Sequence, residues 1–138
     1  MAVTRAAATG ALALFVDGVL NASATGPAGD ISYPDGVVSS SVNDPFLVIG
    51  AEKHNIPAIP GFNGLIDEMR VSTVRRYTGS FTRPGRFNVD GATAALYHFD
   101  EGSGSILVDA AGTSSGEVRA GGSPVGPAWV SSTAPTGP

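Results

Sequence analysis

The stretch GFNGLIDEMRVSTVRRYTGSFTRP, residues 61–84, sets two carboxylates side by side in an otherwise apolar run. Two carboxyl groups that face one substrate can divide the acid and nucleophile roles of glycoside hydrolysis. In an extended strand, however, successive side chains point to opposite faces. LIDEMRVS then divides into Leu65, Asp67, Met69 and Val71 against Ile66, Glu68, Arg70 and Ser72. The first set is the apolar one, so Asp67 is expected to point into the core. Glu68 and Arg70 are expected outside, where an exposed ion pair contributes about 0–1 kcal/mol. Carboxylates on opposite faces cannot cooperate on a substrate. A buried Asp67 must be hydrogen-bonded, paired or metal-bound, and its expected role is structural: accepting N–H bonds from GFNG or the TRP segment and fastening that loop to the sheet.

A second acid-bearing stretch, HFDE, places His98 and Asp100 on one predicted strand face. They have the types of an acid–base pair, but no nucleophile accompanies them, and a motif without its constellation is weak evidence for catalysis. The chain is therefore read as non-enzymatic. Aromatic and guanidinium groups offer a different chemistry. Tyr33, in ISYPDG, and Tyr77, beside Arg75 and Arg76, are candidates for contacting a ligand, since sugar rings stack on aromatic faces and arginines hold carboxylates. Trp129 is the only tryptophan, and its position in PAWV suits closure of the core.

These groups need strands and turns to hold them. The 138 residues are a single-domain length, with 19 glycines, 10 prolines and only 14% charged residues, a composition of short elements joined by tight turns. MAVTR reads as a short strand, and ALALFVDGVLNASA as strand, Asp-Gly turn and strand. The N-terminal residues also resemble a cleavable leader ending at Ala22-Ser23-Ala24. Asp17-Gly18 interrupts that apolar region, so a hairpin is expected instead. FLVIGA, LIDEMRVS, AALYHFD, SILVD, EVRA and PAWV read as further strands, separated by Gly/Pro/Asn/Asp loops. Turns recurring every 8–15 residues or so point to an antiparallel all-β sandwich or jelly roll. Residues 1–130 are read as one domain and 131–138 as a Pro/Gly/Ser-rich tail. The net charge of −4 with scattered basic residues carries no nucleic-acid footprint. There is no cysteine, hence no disulfide framework, and no apolar run long enough to span a membrane.

Three segments resemble the laminin-G-like jelly roll of the concanavalin-A-like superfamily. MAVTRAAATGALALFVDGVLNASATG looks like that family's Ala-Val-Thr-Arg and Asp-Gly hairpin. FLVIGAEKHNIPAIPGFNGLIDEMRVSTVRRYTGSFTRP is similar to its Ile-Gly-Ala, Gly-x-Ile-Asp-Glu and Arg-Tyr-Thr block, and AALYHFDEGSGSILVDAAGTSSGEV to its opening strand–turn–strand. The order is inverted relative to the family: residues 1–84 resemble the closing half and residues 92–130 the opening strands, while the family's middle strands are missing. The chain then reads as a cut across two tandem repeats, a rearranged sandwich that closes alone, or a subunit whose missing strands come from a neighbour.

The resemblance implies an extracellular, cell-surface or virion setting and a recognition module that binds glycan or protein through its loops. The alternative is a structural subunit that self-assembles by sharing strands, because uncovered strand edges invite pairing. The glycosidases of this architecture carry Glu-x-Asp-x-x-Glu on one strand, a pattern this chain lacks. Family members also hold Ca2+ near the loops at one end of the sandwich. Calcium takes six to eight oxygen ligands, and among the turn acids Asp17, Asp30, Asp35, Asp44, Asp90, Asp100 and Asp109, the metal candidates are Asp17, Asp100 and Asp109. Hairpin chemistry explains Asp17 equally well, and capping of the EGSG and AAG turns explains Asp100 and Asp109.

Overall fold

The computed structural model of the protein describes residues 1–31, 47–51, 61–112, 114–119 and 126–131. Among them are seven strands and no helix, and every ladder is antiparallel. The described residues are strand-rich and consistent with an all-β class, in three small sheets that do not by themselves define a two-layered sandwich.

The first sheet has the order β1 (Ala2–Arg5), β2 (Ala11–Val16), β3 (Val19–Thr25). Its hairpin is set by Asp17 and Gly18, with φ of 49° and 77°. Positive φ at both central residues is the geometry whose twist matches two flanking strands. Gly18 is required for a second reason. A Cβ there would lie 1.9 Å from the Phe81 carbonyl oxygen, because the Phe81 N–H donates to the Gly18 carbonyl at 2.8 Å. The register shifts at Leu14/Phe15, so Leu14 faces Ala22 while Phe15 faces Leu20.

Phe15 is fully buried, and what covers it comes from far along the chain. Tyr77 and Phe81 stack on each other at 3.5 Å, and both meet the Phe15 ring edge-on, at 6.3 and 5.6 Å. The residue 73–92 connection thus ties the first sheet to the second.

The second sheet pairs β4 (Met69–Ser72) with β5 (Thr93–Tyr97), Met69 opposite Tyr97. The third pairs β6 (Ile106–Leu107) with β7 (Gly116–Glu117). A bridge between Tyr97 and Asp109 and the Ala110 N–H on the Leu96 carbonyl bring residues 107–110 to β5. Ala95, Tyr97 and Leu107 form the buried cluster, with Met69, Val71, Phe99, Val118 and Trp129 packed on it. The Trp129 indole N–H donates to the Gly104 carbonyl at 2.9 Å, so its polar edge is satisfied while its ring closes the cluster.

Several expected strands are shorter or missing. Leu47–Ala51 of FLVIGA and the PAWV segment form no strand, and EVRA contributes only Glu117 to β7. Apolar content makes a strand only where a partner accepts its backbone, and these segments have no ladder among the described residues. LIDEMRVS begins its strand at Met69 instead of Leu65, for a reason that decides the site. The tail beyond Ser131 lies outside the described residues.

Candidate functional site

Period-two reasoning fails at one residue. Glu68 has φ +53°, a left-handed conformation that an L-residue other than Gly, Asn or Asp seldom takes. The alternation is reset there, and the two acids exchange roles. Asp67, expected inside, is exposed. The Glu68 side chain is only 13% exposed and does the fastening assigned above to Asp67. Its Oε2 accepts the Phe87 N–H at 2.9 Å, and its Oε1 lies 2.7 Å from the His98 Nδ1. The pairing of Glu68 with Arg70 is replaced as well. Arg70 lies over the Phe87 ring, 4.3 Å from its centroid, and donates to the Tyr77 hydroxyl at 3.4 Å.

Met69 and Tyr97 are ladder partners, so the residues just outside them, Glu68 and His98, meet at the end of the β4–β5 ladder. The next residue on the other side, Phe99, also has positive φ, +58°. This second reset sends His98 and Asp100 to different partners instead of pairing them on one face. Arg86 joins them again: it donates to Asp100 Oδ2 at 2.7 Å and sits 3.6 Å from Glu68 Oε1. Asp100 raises the guanidinium pKa, chiefly through this hydrogen bond, with smaller charge contributions from Asp100, Glu68 and Asp67 and an opposing one from desolvation. The cluster Glu68–His98–Arg86–Asp100 therefore combines an imidazole, a guanidinium and two carboxylates beside two strained backbone positions. Strain of this kind collects where surrounding structure holds it in place. Among the described residues His98 bonds Glu68 alone, and no hydroxyl or thiol stands in line with it as a nucleophile would.

Among the described residues the buried acid is Asp109, 3% exposed. Its Oδ1 accepts the N–H groups of Leu96 and Ala111, both at 2.9 Å, and its Oδ2 that of Ser114 at 3.0 Å. The carboxylate serves as an artificial ladder partner where the chain turns through Ala110–Gly112. Beside it, Tyr97 donates its hydroxyl proton to the Ser114 carbonyl at 2.6 Å. Burial first, and the Asp109 charge second, push the Tyr97 phenol up.

The metal candidates are not brought together. Asp17 is exposed in the hairpin turn, Asp100 is paired with Arg86 and Asp109 is wrapped in N–H donors. No three Asp, Glu or His side chains form a cluster suited to a metal among the described residues. Asp35 and Asp44 lie outside them.

The ligand-contact candidates also separate. Tyr33 lies outside the described residues. Arg76 is committed internally: its fork grips Asp90 at 2.8 and 2.6 Å, and its Nε donates to the Ser72 hydroxyl at 2.6 Å. Asp90 is held well below the usual carboxylate range by Arg76 first, then by Thr93 and the Ala92 N–H. Tyr77 is half-buried on Phe81 and Phe15. Arg75 differs. It is exposed, makes no ion pair among the described residues, and borders an open depression of about 400 Å³ on β2 and β3, lined by Leu12, Leu20, Ser23, Thr25 and Thr78 among others.

Sequence reasoning had no signal for the left-handed Glu68 and Phe99, nor for Arg86 as their link. Asp109 did carry one, because Asp before Ala-Ala-Gly is turn-capping chemistry. No protein-family model, curated protein or solved structure matches the chain. Its class rests on its own geometry: a strand-rich antiparallel protein whose carboxylates hold turns to strands.

Proposed function

We propose that the protein is a non-catalytic structural subunit that self-assembles by sharing β-strands, a second copy completing a sandwich of the laminin-G-like type. The observation that carries this reading is β3. Among the described residues it is an edge strand, exposed at all seven positions, and its sequence, VLNASAT, contains no charge and no proline. Natural edges are ordinarily guarded by lysine, proline or a covering element. Asn21, which falls at the register shift, is the one irregularity there. Burial points the same way. Sixteen large hydrophobic side chains are exposed among the described residues, against six buried hydrophobic ones, two of them alanine.

Pairing β3 with β3 of another copy about a two-fold axis is self-complementary and covers Val19 and Leu20, which are 60% and 47% exposed. The setting proposed with this role is extracellular or on a virion. Absolute mass by light scattering, over a wide concentration range, tests it. A defined oligomer that Ser23→Lys dissociates is expected. A compact monomer at every concentration would rule the reading out.

A second reading, recognition of a glycan or protein ligand, is favoured by Arg75 alone: its uncommitted guanidinium borders a depression of ligand size that carries three hydroxyl residues. Glycan-dependent chemical shifts at Arg75 and Thr78 would support it, and their absence across a broad glycan panel would end it.

A further inference from the structure

We infer that Asn63-Gly64 is a self-modifying site, at which the chain converts its own asparagine to aspartate and isoaspartate. The reaction needs a carboxamide, a following backbone nitrogen that is free to attack it, and a backbone open enough to close a five-membered ring. Asn63 and Gly64 are both exposed and lie outside every strand. Neither the Asn63 side chain nor the Gly64 N–H is engaged in a hydrogen bond among the described residues, although Phe62, immediately before them, is anchored by its N–H to the Gly50 carbonyl at 2.7 Å. Glycine contributes no Cβ to hinder approach to its nitrogen. The alternatives among the described residues are worse placed. Asn21 lies within β3 and is followed by Ala22, which has a Cβ and is paired with Leu14 in the ladder, and Asn88 precedes the branched Val89.

The chemistry balances without a co-reactant other than water. The Gly64 nitrogen attacks the Asn63 Cγ, forming a C–N bond, and the side-chain nitrogen leaves as ammonia, taking the proton lost by the backbone amide. Water then opens the succinimide at either carbonyl. One opening gives aspartate and the other isoaspartate, whose backbone contains one additional methylene. Either product adds a negative charge to a chain already at −4. The change falls just before the exposed Leu65 and Asp67 and the strained Glu68, so the isoaspartyl form lengthens the run into β4. The site is independent of assembly through β3.

Incubation of the whole protein at mildly alkaline pH, followed by peptide mapping with isoaspartate detection, tests the inference. Residue 63 is expected to convert before any other asparagine, at a rate close to that of the urea-unfolded chain. Asn63→Gln should abolish the modified species. Gly64→Ala should slow its appearance to the rate of the other asparagines; the added Cβ would meet the Phe62 ring at 2.7 Å, but that ring is 61% exposed and free to swing aside. First conversion at another asparagine, or a folded chain in which residue 63 stays intact while the unfolded chain converts, would overturn it.

Discussion

The β1–β3 sheet and the region around β5 hold themselves together by opposite means. The first relies on a six-pair ladder with one register shift, a two-residue turn and one aromatic knot, in which Phe15 is clasped by Tyr77 and Phe81. Its outer strand buries nothing. The second has short ladders, of four residue pairs and of two, and makes up for them with carboxylates that accept backbone N–H groups: Asp109 from Leu96, Ala111 and Ser114, Glu68 from Phe87, Glu101 from Val108. Strand pairing of this length leaves, among the described residues, an edge long enough for another chain to extend. Carboxylate fastening closes turns locally, and the strand edges it leaves, in ladders of four residue pairs and two, are shorter than β3. On the proposed function, assembly would fall to the first region, while the second is the more locally fastened.

The comparison breaks most sharply at Phe15. Phe15→Ala removes the centre of the aromatic knot and should cost about 3–5 kcal/mol, read as a shift in the denaturant midpoint. Asp109→Ala should cost somewhat less, about 2–4 kcal/mol, because the N–H groups of Leu96, Ala111 and Ser114 lose their acceptor but, of these, only Leu96 is buried. Asp109→Asn keeps one carbonyl acceptor and should fall between the variant and the native protein.

Glu68 sharpens the comparison further. Glu68→Ala loses the bonds to Phe87 and His98 and should cost about 1–3 kcal/mol. Glu68→Gly loses the same bonds but suits φ +53°, so it should be about 1 kcal/mol more stable than the alanine variant. In an ordinary extended strand residue the order would be the reverse, and that outcome would remove the left-handed conformation from the account.

The smallest expected effect concerns pH. Asp90 has a folded pKa depressed by Arg76, so it binds a proton more readily unfolded than folded. Its contribution is present above the unfolded carboxylate value of about 4 and is lost as pH falls below it. Asp90→Asn should flatten that part of the acid limb in a stability-against-pH series. The pair is solvent-exposed and screened, so an unchanged limb would mean that other carboxylates dominate it.

The hairpin was legible because Asp17-Gly18 prescribes a turn with positive φ at both positions and ALALFV alternates around it. The β4 region was not, because alternation assumes an extended backbone at every residue. Glu68 and Phe99 violate that assumption, and neither residue type advertises it. Alternation alone therefore puts the inward acid at Asp67, one position early, and pairs His98 with Asp100 instead of Glu68. Asp109 shows the contrary case, where a local motif, Asp followed by Ala-Ala-Gly, states its own hydrogen bonds. Arg76 was legible as a residue with chemistry but not as to its partner, since Asp90 lies fourteen residues away across a loop.

The central claim is that the outer edge of β3 is completed by another copy of the chain. Amide hydrogen exchange resolved to single residues of Val19–Thr25, at low and at high protein concentration, tests it most directly. In an edge strand, alternate amides point away from β2 and exchange freely in a monomer. The account predicts that these amides gain protection with concentration, in step with the measured mass, while those bonded to β2 change little. Identical exchange at both concentrations would contradict it.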